Sequence, residues 1–323
     1  MYVPTASVIA AAFDLGEPVG VLELVRRGSC DTWRLETDAG RFFVKGYLPG
    51  SAGQFTPGGL LDQLAVAMEF EQRARVAGVD LPEPVAPVEP VAGWATRIED
   101  RLFRVYDWID SRPLDADDDI SEWLGRTMAQ VHQLQPLGRA GLPFWWRTAL
   151  KPQADWEEWF TEADRLGKTW APFAWERLPD ITAVTDRIAA ACDDAPDCVM
   201  THGDFKTHNL VMTPDGPVLV DWDSVRVDSA ALEAGRVAHI FAAGSAEGID
   251  RVLAAYAEAG GDIDWAGPNL FLSVARKNLH TLFDTVQVSL GRWPMPWWMT
   301  NPDQEVAELM ATLPRQEGSD AGS

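Results

Sequence analysis

The spacing of apolar residues changes period along the first hundred positions, and each change marks an element. Residues 5–13 read as a short helix. Three strand-like runs follow, Val21–Arg26, Trp33–Thr37 and Arg41–Gly46, and Asp38-Ala39-Gly40 supplies the turn between the last two. Residues 47–59 hold Pro49, Gly50, Gly53, Pro57, Gly58 and Gly59, which predicts a loop. Leu61, Leu64 and Met68 then recur at helical spacing, so a helix is predicted over Leu60–Ala77, stopped by Gly78 with Pro82 and Pro84 beyond it. Two more strands are expected at Trp94–Ile98 and Leu102–Tyr106. Strands, one helix and strands again predict an α+β lobe with an antiparallel sheet, placed at residues 1–106.

Beyond Trp108 the pattern changes. Ser111–Asp119 is a polar, acidic connector, and from Ile120 the positions Trp123, Leu124, Met128 and Val131 follow a helical period. The second lobe, residues 107–323, is therefore expected to be larger and mainly helical, interrupted by a hairpin near 198–221. The polar stretch Arg315–Ser323 is expected to be disordered. No internal repeat or low-complexity tract is visible.

Composition narrows the classes. A chain of 323 residues with 46% hydrophobic and 24% charged residues has ample material for a buried core. Its formal charge of −22 argues against nucleic acid or anionic membrane as partner and favours a cationic one. The three cysteines, Cys30, Cys192 and Cys198, match no metal spacing and suggest a reducing compartment. The first residues lack the basic segment of a secretory leader, and no apolar run is long enough to span a bilayer. The expected location is the cytoplasm. Monomer and dimer are equally compatible with the sequence.

The candidate chemistry lies in residues 197–224. Val199–Thr201 reads as a strand, His202–His208 as a loop, Asn209–Met212 and Pro217–Asp221 as the two strands of a hairpin, with Asp215-Gly216 in its turn. If Met212 faces Val218, Asn209 faces Asp221 at the open end of that hairpin, with Asp204 in the loop above. Magnesium takes one or two carboxylates together with phosphate oxygens. Asn209 and Asp221 are thus the expected metal ligands, and Asp204 the group that accepts the proton of, or orients, an attacking hydroxyl. The run His202-Gly203-Asp204-Phe205-Lys206-Thr207-His208-Asn209 keeps the Asp-to-Asn spacing of the kinase loop H-R-D-x-x-x-x-N.

With Asp221-Trp222-Asp223 following an apolar strand, this segment resembles the aminoglycoside phosphotransferase and choline kinase-like group of small-molecule kinases. The resemblance implies a two-lobed, protein-kinase-like fold, the role of catalytic base for Asp204, and metal binding by Asn209 and Asp221. It makes His202 a brace of the loop. Lys206 stands where that group commonly has histidine; it resembles the lysine of protein-kinase loops that reaches the γ-phosphate.

The first lobe supplies a matching half. Lys45, at the end of the third strand, is placed for the α- and β-phosphates of ATP, with GTP an open alternative. Glu69 and Glu71 compete as its partner, and Glu71 is preferred because it continues the Leu61, Leu64, Met68 face. Arg27–Asp31 would cover the phosphates. Val105–Trp108, with Tyr106 and Trp108, would be the hinge that holds the adenine.

The acceptor is less legible. Trp145, Trp146, Trp156, Trp159, Trp170 and Trp175 alternate with carboxylates, which suits a cationic or sugar-like molecule but is better explained by a packed helical pair. Arg292–Trp298 poses the same choice, and His132 is expected in the core. An aminoglycoside-type antibiotic is the leading acceptor. A metabolic alcohol such as choline, homoserine, methylthioribose or an amino sugar, a non-catalytic nucleotide-binding module, and a metal hydrolase on His202, Asp204 and His208 remain as alternatives. A protein kinase is disfavoured by Gly203 and by the lack of D-F-G and A-P-E segments.

Overall fold

The computed structural model describes residues 4–28, 30–48, 59–115, 117–137, 141–263 and 267–314. Most of the predicted 47–59 loop, Ser29 of the predicted phosphate loop and the 315–323 tail lie outside these residues. The chain forms two compact units. One comprises residues 1–135, 200–226 and 254–259, the other 136–199, 227–253 and 260–323.

The first unit is built on an antiparallel sheet. Strands β1 (Glu23–Arg26), β2 (Cys30–Thr37), β3 (Gly40–Tyr47), β4 (Pro84–Val85), β5 (Ala95–Ile98) and β6 (Arg101–Asp107) are arranged in the order β1-β2-β3-β6-β4, with β5 also on β6. The two-residue period of the strands sorts side chains between two faces. Trp33, Leu35, Phe42, Val44, Phe103 and Val105 pack on helix α1 (Ala6–Phe13) through Ile9, Ala10 and Phe13. Tyr47, Leu102 and Ala95 pack on helix α2 (Leu60–Val76) through Leu64 and Met68. Helix α2 has no side-chain cap at Gly59, so its buried face holds it, at about 1.5–3 kcal/mol for each large apolar side chain. β4 escaped prediction because two residues carry no period.

Strand β7 (Arg112–Pro113) lies in the predicted acidic connector, and helix α3 (Ser121–Gln133) follows with Leu124, Met128 and Val131 buried. Buried His132 is paired through Nδ1 with the Tyr256 hydroxyl at 2.9 Å, as suits a core histidine. The chain passes between the units within β8 (Cys198–Thr201) and β11 (Arg226–Ser229).

The hairpin consists of β9 (Leu210–Thr213) and β10 (Gly216–Leu219), and its register differs from the expected one by a residue. Met212 faces Pro217, not Val218, and Thr213 faces Gly216. The turn is the tight pair Pro214-Asp215, closed by Thr213 Oγ1, which donates to Gly216 O and accepts from Asp215 N. The ladder therefore ends with the Val220 N–H donating to Asn209 O at 2.9 Å, and Asp221 is displaced from the strand altogether.

The second unit is helical. It includes α4 (Gln153–Arg165), α5 (Ala171–Asp194), α6 (Ala230–Phe241), α8 (Leu272–Ser289) and α9 (Pro302–Thr312), while α7 (Ala246–Glu258) runs across the boundary between the units. Trp145, Trp146, Trp156, Trp159 and Trp170 are buried, and Phe160 joins Trp156 and Trp170 in ring contacts. These tryptophans build the core. Trp293, Trp297 and Trp298, between α8 and α9, are exposed.

Candidate active site

The first unit holds a cavity of about 440 Å³. Among its lining residues are Lys45, Glu71, Tyr106, Trp108, Asp204, Lys206, Asn209 and Asp221, the residues the sequence offered for catalysis, nucleotide and metal.

The loop after β8 is shaped by its backbone. Gly203 has φ +79, and a Cβ there would lie 2.1 Å from Ser224 O. Only glycine fits such a turn without strain. His202 is fully buried between Phe205 and Trp222. Its Nδ1 accepts from the Asp204 N–H at 3.3 Å, and Nε2, which then carries the proton, donates to Val220 O at 3.2 Å. Both ring nitrogens are thus engaged by backbone. The imidazole braces the loop against the hairpin and is not available as a metal ligand, which removes the hydrolase alternative.

Asp204 is held from two sides. Asn209 Nδ2 donates to Asp204 O and Oδ2, each at 2.8 Å, and Lys206 Nζ lies 2.8 Å from Oδ1. Asn209 is buried, and its donation to Asp204 leaves Oδ1 as its uncommitted acceptor. The carboxylate of Asp204 is partly exposed to the cavity. Loss of solvent and the nearby Lys206 push the His208 imidazole below its ordinary value, so it stays neutral at pH 7.

Asp221 has left-handed backbone, φ 64, and opens the 3-10 turn Trp222–Ser224. That turn sends Asp221 and Asp223 to the same cation: Lys45 Nζ is 2.5 Å from Asp221 Oδ1 and 2.5 Å from Asp223 Oδ2. Desolvation raises the Asp221 carboxyl, but the charge and hydrogen bond of Lys45 outweigh it and hold the group below the usual value. Burial opposes the charge on Lys45, and the two carboxylates overcome that and hold its ammonium well above the ordinary lysine value.

The expected Lys45–Glu71 pair is not formed. Glu71, fully buried on α2, accepts instead from Arg104 Nη2, and from the Tyr106 hydroxyl at 3.4 Å. The reason is the β3–β6 register, which sets Arg104 beside Lys45 on the face toward α2. Arg104 takes the glutamate, and Lys45 turns to the Asp-Trp-Asp turn. Burial pushes the Tyr47 and Tyr106 phenols well up, so both remain donors.

Arg104, Asp223, Tyr47 and Gln63 went unnoticed in the sequence. Asp223 was visible only as the second acid of Asp-Trp-Asp. A strand reading Arg101-Leu102-Phe103-Arg104 signals two arginines on a sheet but not that both are buried, with 1% and 0% of their surface exposed. The segment expected to serve as the hinge is also more constrained than the sequence suggests. Trp108 N–H donates to Arg41 O at 3.0 Å and Asp107 N–H to Glu83 O at 2.9 Å, so neither is available to a bound base.

A family model described as "Phosphotransferase enzyme family" matches residues 22–271. No curated protein matches the chain. Among solved structures, the amicoumacin kinase hAmiN in complex with AMP-PNP, Ca²⁺ and Ami superposes with a TM-score of 0.65 at 11% identity, over 94% of this chain and 90% of that one. Spectinomycin phosphotransferase APH(9)-Ia, in complex with ADP and spectinomycin, gives 0.58 at 11% identity, over 97% and 100% of the two chains. A choline/ethanolamine kinase family protein from Mesorhizobium loti gives 0.56 at 16% identity, over 95% and 91%. At these identities the likeness is one of fold.

Proposed function

We propose that this chain, which belongs to the phosphotransferase enzyme family, moves the γ-phosphoryl group of ATP to a hydroxyl of a small cationic or sugar-like molecule, with an aminoglycoside-type antibiotic as the leading candidate. The observation that carries this reading is the convergence of Asp204, Lys206, Asn209, Asp221 and Lys45 on one cavity.

The residues fit a magnesium–nucleotide. Asn209 Oδ1 and the Asp221 carboxylate are hard oxygen donors, and Lys45 leaves Asp221 Oδ2 uncommitted. Lys45, Lys206 and Arg26 line the same cavity as cations for a polyphosphate. Bound there, ATP with Mg²⁺ supplies the phosphoryl group and the charge that neutralises its oxygens. The protein's part is positioning. Asn209 and Lys206 orient the Asp204 carboxylate, which accepts the proton of the incoming hydroxyl. Lys206, two residues on, is placed to reach from that carboxylate to the transferred group. His202 holds the loop while this happens. The formal charge of −22 supports a cationic acceptor.

The test is an acceptor panel of aminoglycosides, other cationic antibiotics and amino alcohols, read by ADP release with Mg-ATP. Turnover on an aminoglycoside is the expected result, and turnover confined to choline-like or other metabolic alcohols would move the chain to that class. Asp204→Asn should lower kcat by about 10²–10⁴-fold with ADP affinity kept. Wild-type turnover in that variant would remove Asp204 from the role of base.

A further inference from the structure

We infer that Asp223, and not Glu71, is the residue that positions Lys45 for the nucleotide phosphates, with Arg104 holding Asp223 and Glu71 in their places. This rests on the phosphotransfer reading of the site.

The two carboxylates that touch Lys45 are held differently. Among the described residues Asp221 is bonded to its lysine alone, and 43% of its side chain is exposed, so it can turn toward a cation in the cavity. Asp223 is only 17% exposed and is tied on every side. Its Oδ2 accepts from Tyr47 at 2.8 Å as well as facing Lys45, its Oδ1 accepts from Arg104 Nη1 at 2.6 Å, and its carbonyl accepts from Gln63 Nε2 at 2.9 Å. Trp222, beside it, is buried against Phe70 of α2. An anchor that must keep Lys45 aimed while Asp221 engages another partner needs this kind of fixation.

Glu71 is bound elsewhere. Arg104 occupies its Oε2, and its Oε1 is buried with no hydrogen-bond partner. That orphaned oxygen makes Glu71 the competing anchor, and the choice is decided by charge. Lys45 and Arg104 are cross-strand neighbours on β3 and β6. Two buried cations side by side repel unless an anion lies between them. Asp223 lies there, giving Oδ2 to one and Oδ1 to the other. If Lys45 swung to Glu71, both cations would share one carboxylate and Asp223 would keep only Arg104 and its tyrosine.

A double-mutant cycle on Mg-ADP binding, measured by calorimetry, separates the two anchors. Lys45→Met and Asp223→Asn should each weaken ADP binding by about tenfold or more, and together no further than about twofold beyond either alone. Asp223→Glu should restore affinity to within about threefold. Independent, multiplying effects of Lys45→Met and Asp223→Asn would overturn the inference. So would coupling of that size between Lys45→Met and Glu71→Gln. Thermal melts check that the variants fold. If Asp223→Asn does not, Asp223→Glu and the Glu71 cycle still decide, because strong Glu71–Lys45 coupling contradicts the inference and its absence with a competent Asp223→Glu supports it. The readout needs no acceptor, so failure of turnover on the panel would sink the proposed reaction and leave this cycle standing. Failure of wild type to bind ADP would sink both.

Discussion

Gly203 shows how much of the site hangs on single residues. It is left-handed, and its missing side chain leaves room for Ser224 O. Gly203→Ala would add about 1–2 kcal/mol of backbone strain before any clash is counted. The added methyl would also push Asp204 and the Asp-Trp-Asp turn apart. The expected outcome is a melting temperature lower by several degrees and a kcat lower by about a hundredfold, the size of effect that a 1 Å misplacement carries. A variant with unchanged melting and turnover would show that the loop tolerates a wider approach. Asp204 was singled out by its spacing to Asn209, and Lys45 by its place at the end of the third strand. Asp223 was not, because its importance comes from what lies opposite it: Arg104, Tyr47 and Lys45 stand 119 to 178 residues away in the chain.

At the scale of elements, the segment after β6 is braced by paired charges. Arg41 donates twice to Asp110, at 2.9 and 2.6 Å, and Arg34 stacks over Trp108. Further on, Arg112 donates to both oxygens of Asp118, which also accepts from Asp115 N at 2.7 Å. The Arg112 hydrogen bonds, followed by that backbone donor, lower the Asp118 carboxyl from 3.8 to about 2. A depressed folded-state value means that the stabilisation is present above the ordinary carboxylate value and is lost as pH falls through about 2. Wild type and Asp118→Asn, compared by denaturant midpoint, should therefore differ by a constant amount from pH 7 down to roughly 4 and converge below it. A gap that widens on acidification would contradict this assignment. The sequence marked this segment as an acidic connector, which its composition supports. It did not indicate that β7 within it pairs with β9, because a two-residue strand leaves no pattern.

For the whole molecule, the dominant feature is the excess of 49 acidic over 27 basic residues. Long-range attraction of a polycation is screened beyond about 8–10 Å at physiological salt. If the acceptor is cationic, its KM should rise several-fold between about 50 and 500 mM KCl, with kcat little changed, since screening weakens encounter and binding more than the orientation of Asp204. A salt-independent KM would favour a neutral acceptor. Among the described residues no helix is long and apolar enough to cross a membrane.

The sequence by itself determined the α+β class and the order of most elements of the first unit, and it singled out Lys45, Asp204, Lys206, Asn209 and Asp221, which line one cavity, because these depend on local period and on spacing within a single loop and hairpin. In the first unit it placed the limits of α1, α2, β1, β2, β3, β5 and β6 within a few residues. Tertiary structure alone decided the partners. A hairpin register depends on which residues form the turn, and one tight turn at Pro214-Asp215 moved Asp221 off the ladder and into the left-handed step that meets Lys45. An ion pair depends on which strand lies beside which, and the β3–β6 register placed Arg104 where it takes Glu71 and leaves Lys45 to the Asp-Trp-Asp turn. Helical period showed that Glu71 faces inward, but only the neighbouring strand determined which cation it meets.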